Sequence, residues 1–227
     1  MQPKKLIFLK ICLLLFVIAF NGCIDGTRPP VRITSELDKR LYQVTQLPLN
    51  VGIYIDPSLR NHVQEEWLRH YIYGVNRFIF PIGKPLSSNI EEMSRCLFKK
   101  ATTLNNLQDK ELIGNEGLDG ILTIGLKESV IVLTIEEAVW RAIGQHKLSI
   151  IATFLDSKQN KIWESVVSVE GKGFDFVTSN VEHEWWVISG PNFAHAVNDA
   201  IQKVTYELAQ KLIASKEISE YFYRQKS

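Results

Sequence analysis

Cysteine is scarce in this chain of 227 residues, which has three, at positions 12, 23 and 96. That is too few for a disulfide framework. Cys12 lies inside an apolar run near the start and Cys23 just past its end, so Cys96 has no intramolecular partner in the rest of the chain. Cys96 therefore reads as an unpaired structural thiol on a helix. Charge of one sign is also lacking, with 26 Lys+Arg against 25 Asp+Glu. Without the clustered basic face that a phosphate backbone demands, no nucleic-acid partner is expected. Long apolar runs occur in one place only. Residues 11–20 are unbroken, but Lys10 and Asn21 bound them, short of the roughly 20 residues that span a bilayer.

The patterns that carry chemistry are absent as well. His183-Glu184-Trp185-Trp186-Val187 begins like a zinc-protease motif but has Val187 where a second histidine ligand belongs. Gly83-Lys84 and Gly171-Lys172-Gly173 lack the remaining spacing of a phosphate-binding loop. His62 and His70 stand eight residues apart with Glu65 and Glu66 between them, looser than the i, i+4 pairing that holds a metal on a helix. Both read as solvated, and His146 and His195 as turn and surface residues. The adjacent acids Glu65-Glu66, Glu91-Glu92 and Glu136-Glu137 point in different directions on a helix or a strand. No catalytic residue, metal ligand or cofactor is expected, and no enzymatic activity. The alternative is a periplasmic hydrolase whose site is assembled from residues distant in sequence.

What is present begins with an address. Lys4, Lys5 and Lys10 precede or enter the apolar run, and Gly22 stands just before Cys23, so residues 1–22 read as an export signal. No A-x-A cleavage site precedes Cys23. The end of this segment resembles the lipobox of bacterial lipoproteins, with Phe20 and Asn21 where that family favours Leu and then Ala or Ser. The resemblance implies cleavage before Cys23, a lipid on its thiol and an acylated new amino terminus. The partner at this end is thus the lipid bilayer. Ile24, in place of the Asp that retains family members at the inner membrane, implies the inner leaflet of an outer membrane, with the domain facing the periplasm.

Gly26, Pro29 and Pro30 and a mixed charge pattern make residues 23–47 a tether. Residues 48–214 form a single domain and 215–227 a tail. Within the domain, 50–55 reads as a strand. Residues 58–80 read as an aromatic excursion, helical through Val63, Trp67 and Tyr71 and then strand-like from Arg77. A helix over 88–101 is predicted from the Ser88/Glu91 capping box and the stripe Ile90, Met93, Leu97 and Ala101. Strands follow at 102–107, 121–126, 129–135, 147–155 and 162–169. A second helix over 191–214 carries the stripe Phe193, Val197, Ala200, Ile201, Val204, Leu208 and Leu212. The fold class is α+β and sandwich-like: a mixed, largely antiparallel sheet with two main helices packed on it, in the order strand, helix, strands, helix.

Taken in order, NVGIYIDP at 50–57, FPIGKPL at 80–86, LDGILTIGL at 118–126, LDSKQNKIWESVVSVEGKG at 155–173 and NFAHAVNDAIQKVTYELAQKL at 192–212 resemble one known domain. It is the small α/β domain of envelope lipoproteins such as YajG, of the amino-terminal domain of TolB and of the core of the curli assembly factor CsgG. The resemblance implies an accessory or assembly role in an envelope transport or export system, through protein contact, and brings no catalytic residues with it. The aromatic segment 174–188 is longer than a minimal connection requires. Phe174, Phe176, Trp185 and Trp186 in it are the candidate contacts for an envelope protein partner, on a loop or hairpin. A homo-oligomer remains open.

Overall fold

Alternation with period two shapes most of the chain. The computed structural model describes residues 29–71, 74–107, 117–139, 141–176 and 193–226. In chain order, β1 (Leu47–Ile55) leads through the one-turn α1 (Pro57–Arg60) to a hairpin of β2 (Gln64–His70) and β3 (Gly74–Phe80). The helix α2 (Gly83–Leu97) and β4 (Phe98–Leu104) come next. Then follow β5 (Gly120–Glu136), β6 (Arg141–Asp156), β7 (Lys161–Phe176), α3 (Ala194–Ala214) and α4 (Lys216–Lys226). Five strands form one sheet in the order β4-β1-β5-β6-β7. β1 runs parallel to both of its neighbours, whereas β5, β6 and β7 form an antiparallel meander. The architecture is α+β, a mixed sheet with helices on it, as the order of patterns implies.

One face of this sheet carries the core. Val51 and Ile53 of β1, Leu122 of β5, Leu148, Ile150 and Phe154 of β6 and Val167 of β7 are buried against Ile90, Met93 and Leu97 of α2 and Val197, Ile201, Val204 and Leu208 of α3. Each such side chain contributes about 1.5–3 kcal/mol relative to exposure. The helix α3 lies unusually close to β7 because Gly171 and Gly173 face it. A Cβ at Gly171 would stand 2.2 Å from the Ala196 carbonyl oxygen.

Several elements differ from the sequence expectation, each for a local reason. β5 is one strand, not two, because Lys127 is absorbed as a bulge between Leu126 and Glu128. The first helix starts at Gly83 rather than at Ser88, so the capping box is not used. Gly83 donates its N–H to the His62 carbonyl (2.9 Å), and Pro85 tolerates a first-turn position, where backbone N–H groups lack helical partners anyway. That helix ends at Leu97, and β4 begins at once with Phe98. The stretch through Val63, Trp67 and Tyr71 is β2, not a helix. A spacing of four satisfies both periods, and the buried Leu68, Phe78 and Phe80 decide for the hairpin. The tail forms α4, started by Ser215, whose Oγ accepts from the Ile218 N–H (3.1 Å), and held by Tyr221, which donates to the Asp119 carbonyl (2.7 Å). From Val31 onward the stretch before β1 packs on the domain, with Val31, Leu37 and Leu41 buried.

Candidate functional site: the open face of the sheet

β5, β6 and β7 run 16 or 17 residues each, far past the end of the nine-residue β1. The hairpin and α3 cover one side of this extension. On the other side, alternation brings out Val130 and Val132 of β5, Arg141, Ile143 and Lys147 of β6, and Glu170, Lys172, Phe174 and Phe176 of β7. Cross-strand register sets Phe174 beside Ile143 and Phe176 beside Arg141. The two phenylalanines are 51% and 65% exposed. Their rings meet edge to face, 5.6 Å apart, and the Arg141 guanidinium lies 5.5 Å from the Phe174 centroid. Such a cation–π contact is worth about 0.5–1 kcal/mol at an exposed site and orients the ring. Depressions of about 210 Å³ beside Phe174 and about 430 Å³ between Val132 and Glu170 mark this face. Ion pairs cross it at Arg141–Glu136 (2.8 Å), Lys147–Glu128 (2.9 Å) and Lys172–Glu170 (3.3 Å).

Among the described residues β7 is the edge strand, and α3 covers its backbone groups along much of its length. Lys211 Nζ donates to the Val166 carbonyl (2.7 Å) and Lys203 Nζ to the Glu170 carbonyl (3.1 Å), while the Lys172 N–H donates to Asp199 (2.9 Å). Covering an edge in this way blocks further strand pairing. Because α3 starts only at Ala194, this row stops before Phe174. Of the four candidate contacts, Phe174 and Phe176 come together at the end of β7. Trp185 and Trp186 lie outside the described residues, as does Cys23.

A second cluster went unread in the sequence. His146, expected from the sequence to be a turn residue, is in mid-strand on β6 and 0% exposed. The signal was available, since Ala142, Gly144, His146, Leu148 and Ile150 continue one alternation. Ser129 Oγ donates to Gln64 Oε1 of the hairpin (2.6 Å) and sits 3.0 Å from His146 Nε2. With its only hydrogen committed to Gln64, Ser129 must accept from His146, so the imidazole proton is on Nε2. Nδ1, buried without a partner, is then the bare nitrogen. This is the reverse of the polarity that activates a serine nucleophile. Burial, and next the charge of nearby His62, depress the His146 pKa to about 4. His62 is itself lowered by burial and is half-buried, not solvated. His70 contacts Glu137 (3.1 Å), and His195 is exposed in the first turn of α3.

Among the described residues, no group of three or more His, Cys, Asp or Glu side chains is arranged to hold a metal ion. Nor is any described helix long and apolar enough to cross a membrane. Cys96 is a free, half-buried thiol on α2, its pKa raised by burial and then by Glu92.

No protein-family model matches the chain, and no curated protein matches it significantly. In structure the chain is similar, at low identity, to several bacterial proteins, lipoproteins among them. A minor lipoprotein from Acinetobacter baumannii aligns at 6% identity and a TM-score of 0.38, over 75% of this chain and 94% of that one. A Helicobacter pylori protein described as a homolog of the neuraminyllactose-binding hemagglutinin gives 11% and 0.42, over 87% and 98%. The PelC dodecamer from Paraburkholderia phytofirmans gives 10% and 0.30, over 73% and 95%.

Proposed function

We propose that this is a lipid-anchored, periplasm-facing accessory protein of an envelope assembly or transport system, held to the membrane through Cys23 and acting by protein contact. The observation that carries the reading is the aromatic pair Phe174 and Phe176, more than half exposed on β7 beyond the row of contacts that α3 makes with it. A phenylalanine buries roughly 150–250 Å² when covered. Fixed by the strand, each of these loses little rotamer freedom on doing so. The surrounding ion pairs supply a polar rim of the kind found around interface centres. Trp185 and Trp186, in the connection that follows, belong to the same proposed contact.

Phe174→Ala/Phe176→Ala tests it. Both rings are exposed, so thermal unfolding should shift little, by less than about 1 kcal/mol. Recovery of a crosslinked partner from native membranes should fall at least about tenfold, since a hot-spot truncation costs about 2 kcal/mol or more. Undiminished recovery would remove the face from consideration. The anchor is tested separately by mass spectrometry of membrane-extracted protein, which should find a chain beginning at Cys23 with lipid on its thiol. An unmodified Cys23, or a chain still beginning at Met1, would refute it.

A further inference from the structure

We propose that the outer face of the β2–β3 hairpin rests on the headgroup region of the bilayer that holds the anchor. The proposal builds on the lipid attachment at Cys23 proposed above.

The hairpin has two unlike faces. Leu68, Phe78 and Phe80 point inward and are buried, and Gln64 joins the sheet through Ser129. Val63, Trp67, Tyr71 and Val75 point outward, with Trp67 50% and Tyr71 76% exposed. Three charged residues, Glu65, Arg69 and Arg77, share that side. Arg77 is paired with Glu65 (3.0 Å between Nε and Oε2) and lies 5.9 Å from the Trp67 ring. Glu137, whose carboxylate accepts from the Tyr71 hydroxyl (2.8 Å), balances them, so the face carries both signs and no net charge. Tryptophan and tyrosine interleaved with arginine on one face fit the boundary between headgroups and acyl chains, where an apolar ring body and a polar tip are both satisfied.

What selects a membrane as the occupant is the path of the chain. The Val31 N–H donates to the Ile79 carbonyl of β3 (2.8 Å), so the described chain begins against the hairpin, a short way along the sequence from Cys23. Only eight steps along the sequence separate Cys23 from Val31, a reach of at most about 28 Å when fully extended. Trp67 pairs across the hairpin with Arg77, two residues from Ile79, or about 7 Å along the strand. The aromatic face is therefore tied close to the lipid. Because the inward side of the hairpin packs on the covered face of the sheet, its outward side points away from the open face. Seating the hairpin on lipid turns Phe174 and Phe176 toward the periplasm.

The test places the photo-crosslinking residue p-benzoylphenylalanine at Trp67, and separately at Val63, in the full chain in native membranes. The same probe at Phe174 is the reference. Mass spectrometry of each sample reads both the adduct and the state of Cys23. The expected result is a lipidated Cys23 with at least fivefold more phospholipid adduct at positions 67 and 63 than at 174. Lipidated Cys23 with only protein adducts at 67 and 63, whether to a second copy or to another protein, or with no adducts, overturns the hairpin contact and leaves the anchor standing. Phospholipid adducts at 67 with an unmodified Cys23 overturn the anchor and retain the contact.

Discussion

Gly171→Ala is expected to destabilise the protein by about 3 kcal/mol, at the upper end of the usual cost of overpacking. A Cβ at that position would stand 2.2 Å from the Ala196 oxygen, 2.4 Å from the Ala200 nitrogen and 2.7 Å from the Ala200 Cβ. Two of the three are main-chain atoms of α3, so no side-chain rotation relieves the clash. The helix must lift away from β7. Lifting it stretches the row of hydrogen bonds from Asp199, Lys203 and Lys211 to the edge strand and loosens the seam around Val197, Ile201 and Val204. For a chain of this size the loss corresponds to a fall in melting temperature of roughly 10 °C. Gly125→Ala is the control, because a Cβ there meets nothing nearer than Ile151 Cγ2 at 3.4 Å, an ordinary contact. Thermal unfolding of the two variants side by side decides the matter. Equal melting temperatures would mean that α3 does not approach β7 as closely as described.

How far the sequence made this legible depends on which period each residue belonged to. The helix α3 was plain, because its apolar positions recur every three to four residues over more than five turns, a pattern no strand tolerates. The strands after position 120 were legible in place but not in length, since their alternation is loose: β6 begins at Arg141 and β7 runs on to Phe176, and Lys127-Glu128, which looks like a break, is a bulge, because a single extra residue can leave a ladder without ending it. β2 was misread, since Val63, Trp67 and Tyr71 are four apart and four is a multiple of two as well as nearly a helical turn. Only Leu68, on the opposite side, separates the two periods, and one residue is a thin signal. Gly171 and Gly173 were weighed as part of a failed phosphate motif. Two glycines two apart share one face of a strand, and that spacing says that something must come close there. Phe174 and Phe176 stand out in the sequence but read as part of a connection, because Gly171 and Gly173 interrupt the pattern after Val169. The His146 cluster was half legible: alternation through Leu148 puts His146 on the buried face, but Gln64, Ser129 and His146 come from three elements, and only the fold brings them within hydrogen-bonding distance.

Acidification should weaken the protein well before its carboxylates titrate, and His146 is the cause. In the folded state its pKa is pushed down to about 4 from the usual 6.5, so the native imidazole is neutral while that of the unfolded chain protonates near pH 6.5. Above that pH neither state holds the proton, and the residue contributes nothing to the pH dependence. Below it only the unfolded state gains a proton, so stability falls by about 1.4 kcal/mol per pH unit. The loss levels off near pH 4, where the native imidazole protonates too, at roughly 3 kcal/mol. His62, lowered by burial, adds to the loss in the same direction. The depressed carboxylates act in a lower window, with Asp38 held down to about 2 by Arg40 and Asp56 lowered by Ser58, so the interval from pH 6.5 to 4.5 belongs to the histidines. The groups around His146 offer an imidazolium little. Ser129 and Gln64 are neutral, and Glu66 is already engaged by Gln64 Nε2 (2.6 Å). Because Gln64 and Ser129 join the hairpin to the sheet, expulsion of a charged His146 should loosen β2 and β3 first. Urea unfolding of the wild type at pH 7 and pH 4.5 should therefore differ by about 2–3 kcal/mol, with hairpin amides losing protection before those of β1. His146→Leu removes the titrating group and leaves Ser129 its bond to Gln64, so at least half of that difference should vanish. An unchanged pH slope in His146→Leu would show that the buried imidazole does not govern acid stability.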